Sequence, residues 1–244
     1  TELAVILYFR HDIIRILGAW FGSLFGKEGK DFKSRMGAHN RDTQMGWFII
    51  IGTLPILIAG LLFKDAIEST LRNLWITVTV LIIFGILLWV VDARAKQVKT
   101  MDEMTWKDAL IFGIGQMLAL IPGVSRSGGT ITFGRAMGYT REAAVRVSFL
   151  MAIPAVFGAG ILEAVSAVKD VAAGNAGMFP GWGATIAATI VAFVVGYVVI
   201  IGFLKFVSTF SYKAFAIYRI ALAVVVALLL ICGVLHPTEV VAAA

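Results

Sequence analysis

The sequence is short of charge, cysteine, histidine and alternating polar strands, and each shortage closes off a class of protein. Charged residues make up 15% of its 244 residues and hydrophobic ones 59%, with a mean hydropathy of +0.91. A soluble domain carries about a quarter charged residues, so the composition excludes one and points to an integral membrane protein. The single cysteine, Cys232, lies in an apolar run, which excludes an internal disulfide and a cysteine-built metal site. The three histidines, His11, His39 and His236, sit beside charged or chain-end residues and read as interfacial or solvated groups. Apolar runs are too long for strands and do not alternate, so no sheet is expected. The net charge of +6, from 21 Lys+Arg against 15 Asp+Glu, is too small and dispersed for a nucleic-acid partner. It reads as cytoplasmic loop charge in contact with anionic headgroups and other membrane lipids. No basic segment precedes the first apolar run, so no signal peptide is read, and the opening Thr1-Glu2-Leu3-Ala4-Val5 looks like the interior of a longer chain.

A spanning helix needs about 20 apolar residues. Six candidates are present: Leu3–Phe9 running on towards Leu17, Gly46–Phe63 with Pro55 inside it, Leu74–Val91, Val147–Val168, Trp182–Phe206 and Ala214–Leu235. Trp47, Trp75, Trp89, Trp182 and Tyr212 fall near their ends, where aromatic anchors are expected.

Between the third and fourth candidates the pattern breaks. Asp108–Ile121 is apolar for 14 residues and stops at Pro122, and Ile131–Tyr139 resumes for nine. Neither crosses a core of about 30 Å at about 1.5 Å per residue. The positive-inside rule favours a re-entrant helix–loop–helix over a broken span. With re-entrance, the basic segments Arg10–Arg41, Arg94–Lys107, Arg135–Arg146 and Lys205–Lys213 all lie on the cytoplasmic side. The loops Lys64–Arg72 and Lys169–Gly181 are then external.

The expected fold is therefore an all-α polytopic membrane protein of six transmembrane helices plus a re-entrant hairpin. Its organisation is a single membrane domain: a first half-repeat over 1–91, a cytoplasmic linker over 92–107, and a second half-repeat over 108–244 with its hairpin at 108–139. An odd number of spans per half makes the halves an inverted-topology repeat. The first half's own hairpin would then lie upstream of Thr1.

The loop of the hairpin, Pro122-Gly123-Val124-Ser125-Arg126-Ser127-Gly128-Gly129-Thr130, concentrates polar chemistry in apolar surroundings. A charge at membrane depth calls for a partner or ligand, and re-entrant backbone is tolerated where it lines a cavity. Gly123, Gly128 and Gly129 allow tight turns and close backbone approach. A helix starting near Ser127 or Gly128 points its positive end into the loop. Arg126 offers a fork for two phosphate oxygens, and Ser125, Ser127 and Thr130 add hydroxyls. The donors suit a pyrophosphate. A Walker A loop is argued against because Gly129 occupies its lysine position, and the lipid-phosphatase pattern Ser-Arg-x5-His fails at Phe133.

Gln116-Met117-Leu118-Ala119-Leu120-Ile121-Pro122-Gly123-Val124-Ser125-Arg126-Ser127-Gly128-Gly129-Thr130 resembles the second signature of the undecaprenyl-pyrophosphate phosphatases, the bacitracin-resistance family. Ser148–Pro154 is also similar to that family, with diffuse similarity along the chain. The resemblance implies hydrolysis of the C55 isoprenoid pyrophosphate to its monophosphate at the outer side of the bacterial cytoplasmic membrane. Such an activity recycles the lipid carrier of peptidoglycan synthesis and confers bacitracin resistance. It also implies a divalent cation, Mg2+ or Ca2+. By the same resemblance Arg126 and Ser125 grip the phosphates, with Gly123, Ser127, Gly128, Gly129 and Thr130 in support.

The family's first signature, glutamates four apart followed by Ser-Ser-Thr-Gly-His, is absent from these residues. It is thought to supply the metal-binding carboxylates, the general acid/base histidine and a candidate nucleophile, so metal ligands are expected upstream of Thr1. The chain is accordingly read as a fragment that is inactive without them. Glu163, inside the fourth span, and Gln116, six residues before Pro122, remain candidates for support of the site. Arg146 and Arg219 read as snorkelling anchors. A polyprenyl-phosphate transporter or flippase is the alternative function, and a non-catalytic binding protein the third; a homodimer is compatible with the sequence.

Overall fold

The computed structural model describes residues 2–172 and 181–238, and among these the protein is almost wholly helical. The helices are α1 (Glu2–Tyr8), α2 (Arg10–Leu24), α3 (Phe32–Arg35), α4 (Arg41–Leu62), α5 (Lys64–Glu68) and α6 (Leu74–Arg94). They continue as α7 (Trp106–Met117), α8 (Arg126–Ala136), α9 (Arg141–Ala172), α10 (Trp182–Thr209) and α11 (Lys213–Ile231). Among the described residues five helices are long and apolar enough to cross a membrane: those over Arg41–Leu62, Leu74–Arg94, Arg141–Lys169, Trp182–Val207 and Lys213–Ile231. Each matches an expected span.

The first expected span is different. Leu3–Leu17 is divided at Phe9, where α1 ends and α2 begins. The reason is local: Arg10, His11, Asp12 and Arg15 follow at once, and Arg15 pairs with Asp12 at 3.2 Å and with Asp42 at 3.3 Å. Neither piece is among the five long apolar helices. Of the expected loop Lys169–Gly181, residues 173–180 lie outside the described residues.

The surface confirms the solvent. Ile186, Ile190, Val194 and Val198 of α10 are exposed, as are Val224 and Leu228 of α11. Asp92, Gln116, Arg135 and Arg219 are instead buried. Helices that turn apolar side chains outward and hold charged ones inside are stable in lipid and aggregate in water. The molecule is a membrane protein.

The chain forms two compact units, one from residues 1–47 and 149–206, the other from 48–148 and 207–244. In the first, the Ser23 hydroxyl donates to the carbonyls of Ser34 and Arg35, both at 3.0 Å, and fastens the basic loop to α2. Asp31 caps α3 through the Ser34 amide at 3.1 Å. Trp47, an expected anchor, is half-buried and donates to Arg35 O at 3.0 Å.

The second unit contains the hairpin. Its lead-in is a capping box in which Thr105 and Asp108 bond reciprocally at the start of α7. A 3-10 turn over Leu118–Leu120 ends this arm, the loop follows, and α8 packs back along α7. The arms approach closely because glycines face each other. A Cβ at Gly129 would lie 2.5 Å from Gly115 O, and one at Gly134 would lie 2.2 Å from the Phe112 ring. The hairpin ends where it began: the Lys99 amide donates to Gly138 O at 3.0 Å, and the Thr140 amide to Lys99 O at 2.9 Å. α6 packs against α8 and along α11.

Candidate phosphate-binding site

The loop is built around Ser125. Its φ of +65° is the one positive value outside glycine among the described residues. Such a backbone costs an L-residue about 1–3 kcal/mol and concentrates at functional sites. Ser125 is also the N-cap of α8, its Oγ accepting from the Gly128 amide at 3.3 Å. The helix therefore starts at Arg126, one residue before the sequence places it. The Ser127 amide has no acceptor among the described residues, so it is one of the orphan donors of a helix N-terminus. Ser125 is exposed, and Arg126, Ser127 and Gly128 are half-buried. These four form one surface at the positive end of a helix, a shape suited to phosphate oxygens.

The other expected loop residues are placed differently. Thr130 is fully buried and its hydroxyl donates to Arg126 O at 2.8 Å, within the helix. Gly129 lies in the contact with α7. Gly123 has φ +99°, and a Cβ there would meet Thr77 O at 2.7 Å, so it seats the loop on α6. Gln116 is fully buried, and neither its Oε1 nor its Nε2 has a partner among the described residues. Buried amides are nearly always bonded, which makes Gln116 the outstanding orphan of this unit. Glu163 lies in α9 with its side chain outside the described residues. His11, His39 and His236 are exposed, as expected.

Two readings need correction. Arg219 is not a snorkelling anchor: it is 8% exposed, and its fork donates to Val124 O at 2.9 Å and Gly123 O at 2.5 Å. Helix α11 packs along α6, which turns this side chain into the protein rather than to the headgroups. Tyr212 is not an interfacial anchor either. It is buried, its amide donating to Asp92 Oδ2 at 3.1 Å and its hydroxyl to Arg141 O at 3.4 Å. Arg146 does stay partly exposed and faces Glu142 at 3.7 Å.

Asp92 is a functional group that no sequence motif marks. This buried carboxylate holds Arg135 Nε at 3.0 Å and Arg141 Nε at 2.9 Å, while Arg135 also donates to Tyr139 O. Three elements are tied by it to the base of the hairpin. Burial first, and the Asp92 carboxylate second, push the Tyr212 hydroxyl far above its ordinary value. Beside it, Lys99 Nζ bonds Asp108 at 2.7 Å and lies 4.9 Å above the Tyr139 ring. Burial would raise the Asp108 carboxyl, but bonds from Lys99, Thr105 and Tyr139 outweigh it and hold it below the usual range.

Among the described residues no three His, Cys, Asp or Glu side chains converge to hold a metal ion. The described residues therefore do not by themselves make up a site for the divalent cation implied by the resemblance.

The family model described as Bacitracin resistance protein BacA matches residues 1–225. An Undecaprenyl-diphosphatase of Bifidobacterium animalis subsp. lactis is 76% identical over 239 residues, covering 98% of this chain and 80% of the relative. That of Bifidobacterium longum subsp. infantis is 71% identical over 235 residues, 96% of this chain and 79% of the relative. A more distant one, from Paenarthrobacter aurescens, is 53% identical over 230 residues, 94% of this chain and 79% of the relative. With the family model covering nearly the whole chain and relatives this similar, the protein belongs to the BacA bacitracin-resistance family.

Proposed function

We propose that this protein hydrolyses undecaprenyl pyrophosphate to undecaprenyl phosphate and inorganic phosphate, and that the surface at Ser125–Gly128 grips the pyrophosphate. The observation that carries the reading is the strained Ser125 cap at the start of α8, next to Arg126, in a family whose relatives are named undecaprenyl-diphosphatases. The reaction adds the oxygen of water to the terminal phosphorus and breaks its bond to the bridging oxygen. The leaving group is the lipid monophosphate. Arg126 would bind two non-bridging oxygens through its fork, and the Ser127 amide and the helix end would stabilise the charge that grows there. Ser125 would offer its hydroxyl, with Gln116 in reserve as a buried donor and acceptor. Gly123, Gly129 and Thr130 support the cradle by fixing its backbone.

The proposed setting is the bacterial cytoplasmic membrane, with α7 and α8 re-entering it and the loop reached from the outside. Two things support re-entrance: the basic segments fall on one side, and the hairpin's ends are bonded to each other through Lys99, Gly138 and Thr140. A cysteine at exposed Ala136, in a Cys232→Ser background, should then be labelled from the cytoplasmic side; labelling from outside only would overturn the topology. The activity is tested by phosphate release from the C55 pyrophosphate by the protein in detergent, which Arg126→Ala should abolish. Movement of the lipid across vesicles without phosphate release would favour a flippase instead.

A further inference from the structure

The guanidinium of Arg219 is a buried cation without a counter-ion among the described residues. It lies in the second turn of α11, and no carboxylate of the described residues is within ion-pair distance of it. Its Nε has no hydrogen-bond partner among the described residues. What it does touch is the backbone of the loop: the consecutive carbonyls of Gly123 and Val124. For both to face one fork the chain must turn sharply around them, which it does with φ +99° at Gly123 and +65° at Ser125. The fork also lies under the first turn of α8, since a Cβ at Gly128 would be 3.0 Å from Arg219 Nη1. A guanidinium against a helix N-terminus places positive beside positive, and two carbonyl dipoles offset this only in part. The electrostatic deficit is relieved when a polyanion binds at the α8 N-terminus.

We propose that Arg219 is a positioning residue of the pyrophosphate site. It holds the loop in the shape that aims the α8 N-terminus at the ligand, and adds a fixed positive charge beside that N-terminus. Its two bonds go to the loop carbonyls, while Arg126 and the α8 amides grip the ligand. Both halves of this role depend on a forked, permanently charged side chain. Lysine keeps the charge but loses one of the two carbonyl bonds, and glutamine loses the charge. The proposal rests on the reading of the loop as a pyrophosphate site.

The test separates binding from turnover. Inorganic pyrophosphate should raise the melting temperature of the wild-type protein in detergent in a concentration-dependent way, since a ligand of the native state stabilises it. Arg219→Gln should weaken the apparent pyrophosphate affinity by about tenfold or more, and Arg219→Lys by less, because Coulomb attraction in a poorly solvated site is strong. In turnover, the glutamine variant should raise KM by a similar factor. If Arg219→Gln binds pyrophosphate within about threefold of wild type, where charge should matter most, the proposal fails. Should the glutamine variant not fold, Arg219→Lys decides: weaker pyrophosphate binding supports the role, and unchanged binding overturns it. Pyrophosphate stabilisation of a wild-type protein that never hydrolyses the lipid would remove the phosphatase reading and leave Arg219 in place. No stabilisation of wild type by pyrophosphate would overturn the role of Arg219 itself.

Discussion

Arg141 grips Asp92 in a forked bond, Nε to Oδ1 at 2.9 Å and Nη2 to Oδ2 at 3.0 Å, across 49 residues of chain. The same carboxylate takes Arg135 Nε at 3.0 Å and the Tyr212 amide at 3.1 Å. Asp92 thus joins the last turn of α6 to the end of α8, the start of α9 and the entry to α11. The base of the hairpin is fixed by ionic bonds, while its arms are fixed by glycine contacts. Each half of that arrangement can be tested.

Removing the carboxylate should be costly. Asp92→Ala leaves Arg135, which is wholly buried, with its Tyr139 carbonyl bond but without its counter-ion. Breaking one side of a buried pair costs about 3–5 kcal/mol. We expect a melting temperature lowered by several degrees or more and faster hydrogen exchange at Val98–Thr100 and Gly138–Thr140. Arg146→Ala, at a partly exposed side chain that faces Glu142 at 3.7 Å, is the comparison and should shift it far less. Equal shifts in the two variants would contradict the central place given to Asp92.

Acid should loosen the same region. The Asp108 carboxyl is held below its ordinary value by Lys99, Thr105 and Tyr139 against the opposing effect of burial. A carboxyl that is more acidic in the folded state stabilises the fold at neutral pH. That contribution is complete above about pH 4, the ordinary aspartate range, and is lost as pH falls through the lower folded value. Melting of wild type should therefore fall on acidification below that range, and Asp108→Asn, already less stable at neutrality, should lose less over the same interval. Parallel acid limbs for the two proteins would refute the assignment.

What the sequence disclosed follows from what a sequence encodes locally. The span over Leu74–Val91 and the helix Leu74–Arg94 agree because eighteen or more apolar residues leave one low-energy conformation in lipid. The loop at Pro122–Thr130 was visible because polar residues stand out in an apolar chain. Asp92 and Arg219 were not. A charge near a helix end is ordinarily read as facing headgroups, and only packing brings residue 92 beside 135 and 141, or residue 219 beside 123 and 124. The chain divides at Phe9, the end of the apolar run, because the charges of Arg10–Arg15 interrupt its continuation towards Leu17. Nothing in the residue type of Ser125 announces its positive φ.

The hairpin arms should tolerate no added volume. A Cβ at Gly134 would lie 2.2 Å from Phe112 Cε1 and 3.2 Å from the Ala144 methyl. Phe112 cannot swing aside, being fully buried with its ring against Tyr139 at 5.1 Å. Overpacking of this kind costs about 1–3 kcal/mol or more. Gly158, in α9, has nothing within 4 Å of the equivalent position, and alanine gains about 0.5–1 kcal/mol over glycine in a helix. Gly134→Ala should lower the melting temperature in detergent and Gly158→Ala should leave it unchanged or raise it. The reverse order would mean that the two arms do not meet as described.

Ser125 offers the sharpest separation of stability from function. Its φ of +65° favours glycine, whereas its hydroxyl caps Gly128 at 3.3 Å. Alanine removes the cap, at about 1 kcal/mol, and keeps the strained backbone. Glycine also removes the cap, but adopts the positive φ without steric cost, and glycine as N-cap costs only a few tenths of a kcal/mol relative to serine. Ser125→Gly should therefore be more stable than Ser125→Ala, by more than the N-cap preference alone would give. Both lose the hydroxyl, so under the proposed function both should lose phosphate release to a similar extent. Melting curves and phosphate release measured on the same three preparations decide the matter. A glycine variant that melts below the alanine variant would show that the backbone at this position is not strained, and a glycine variant with full activity would remove the Ser125 hydroxyl from the site.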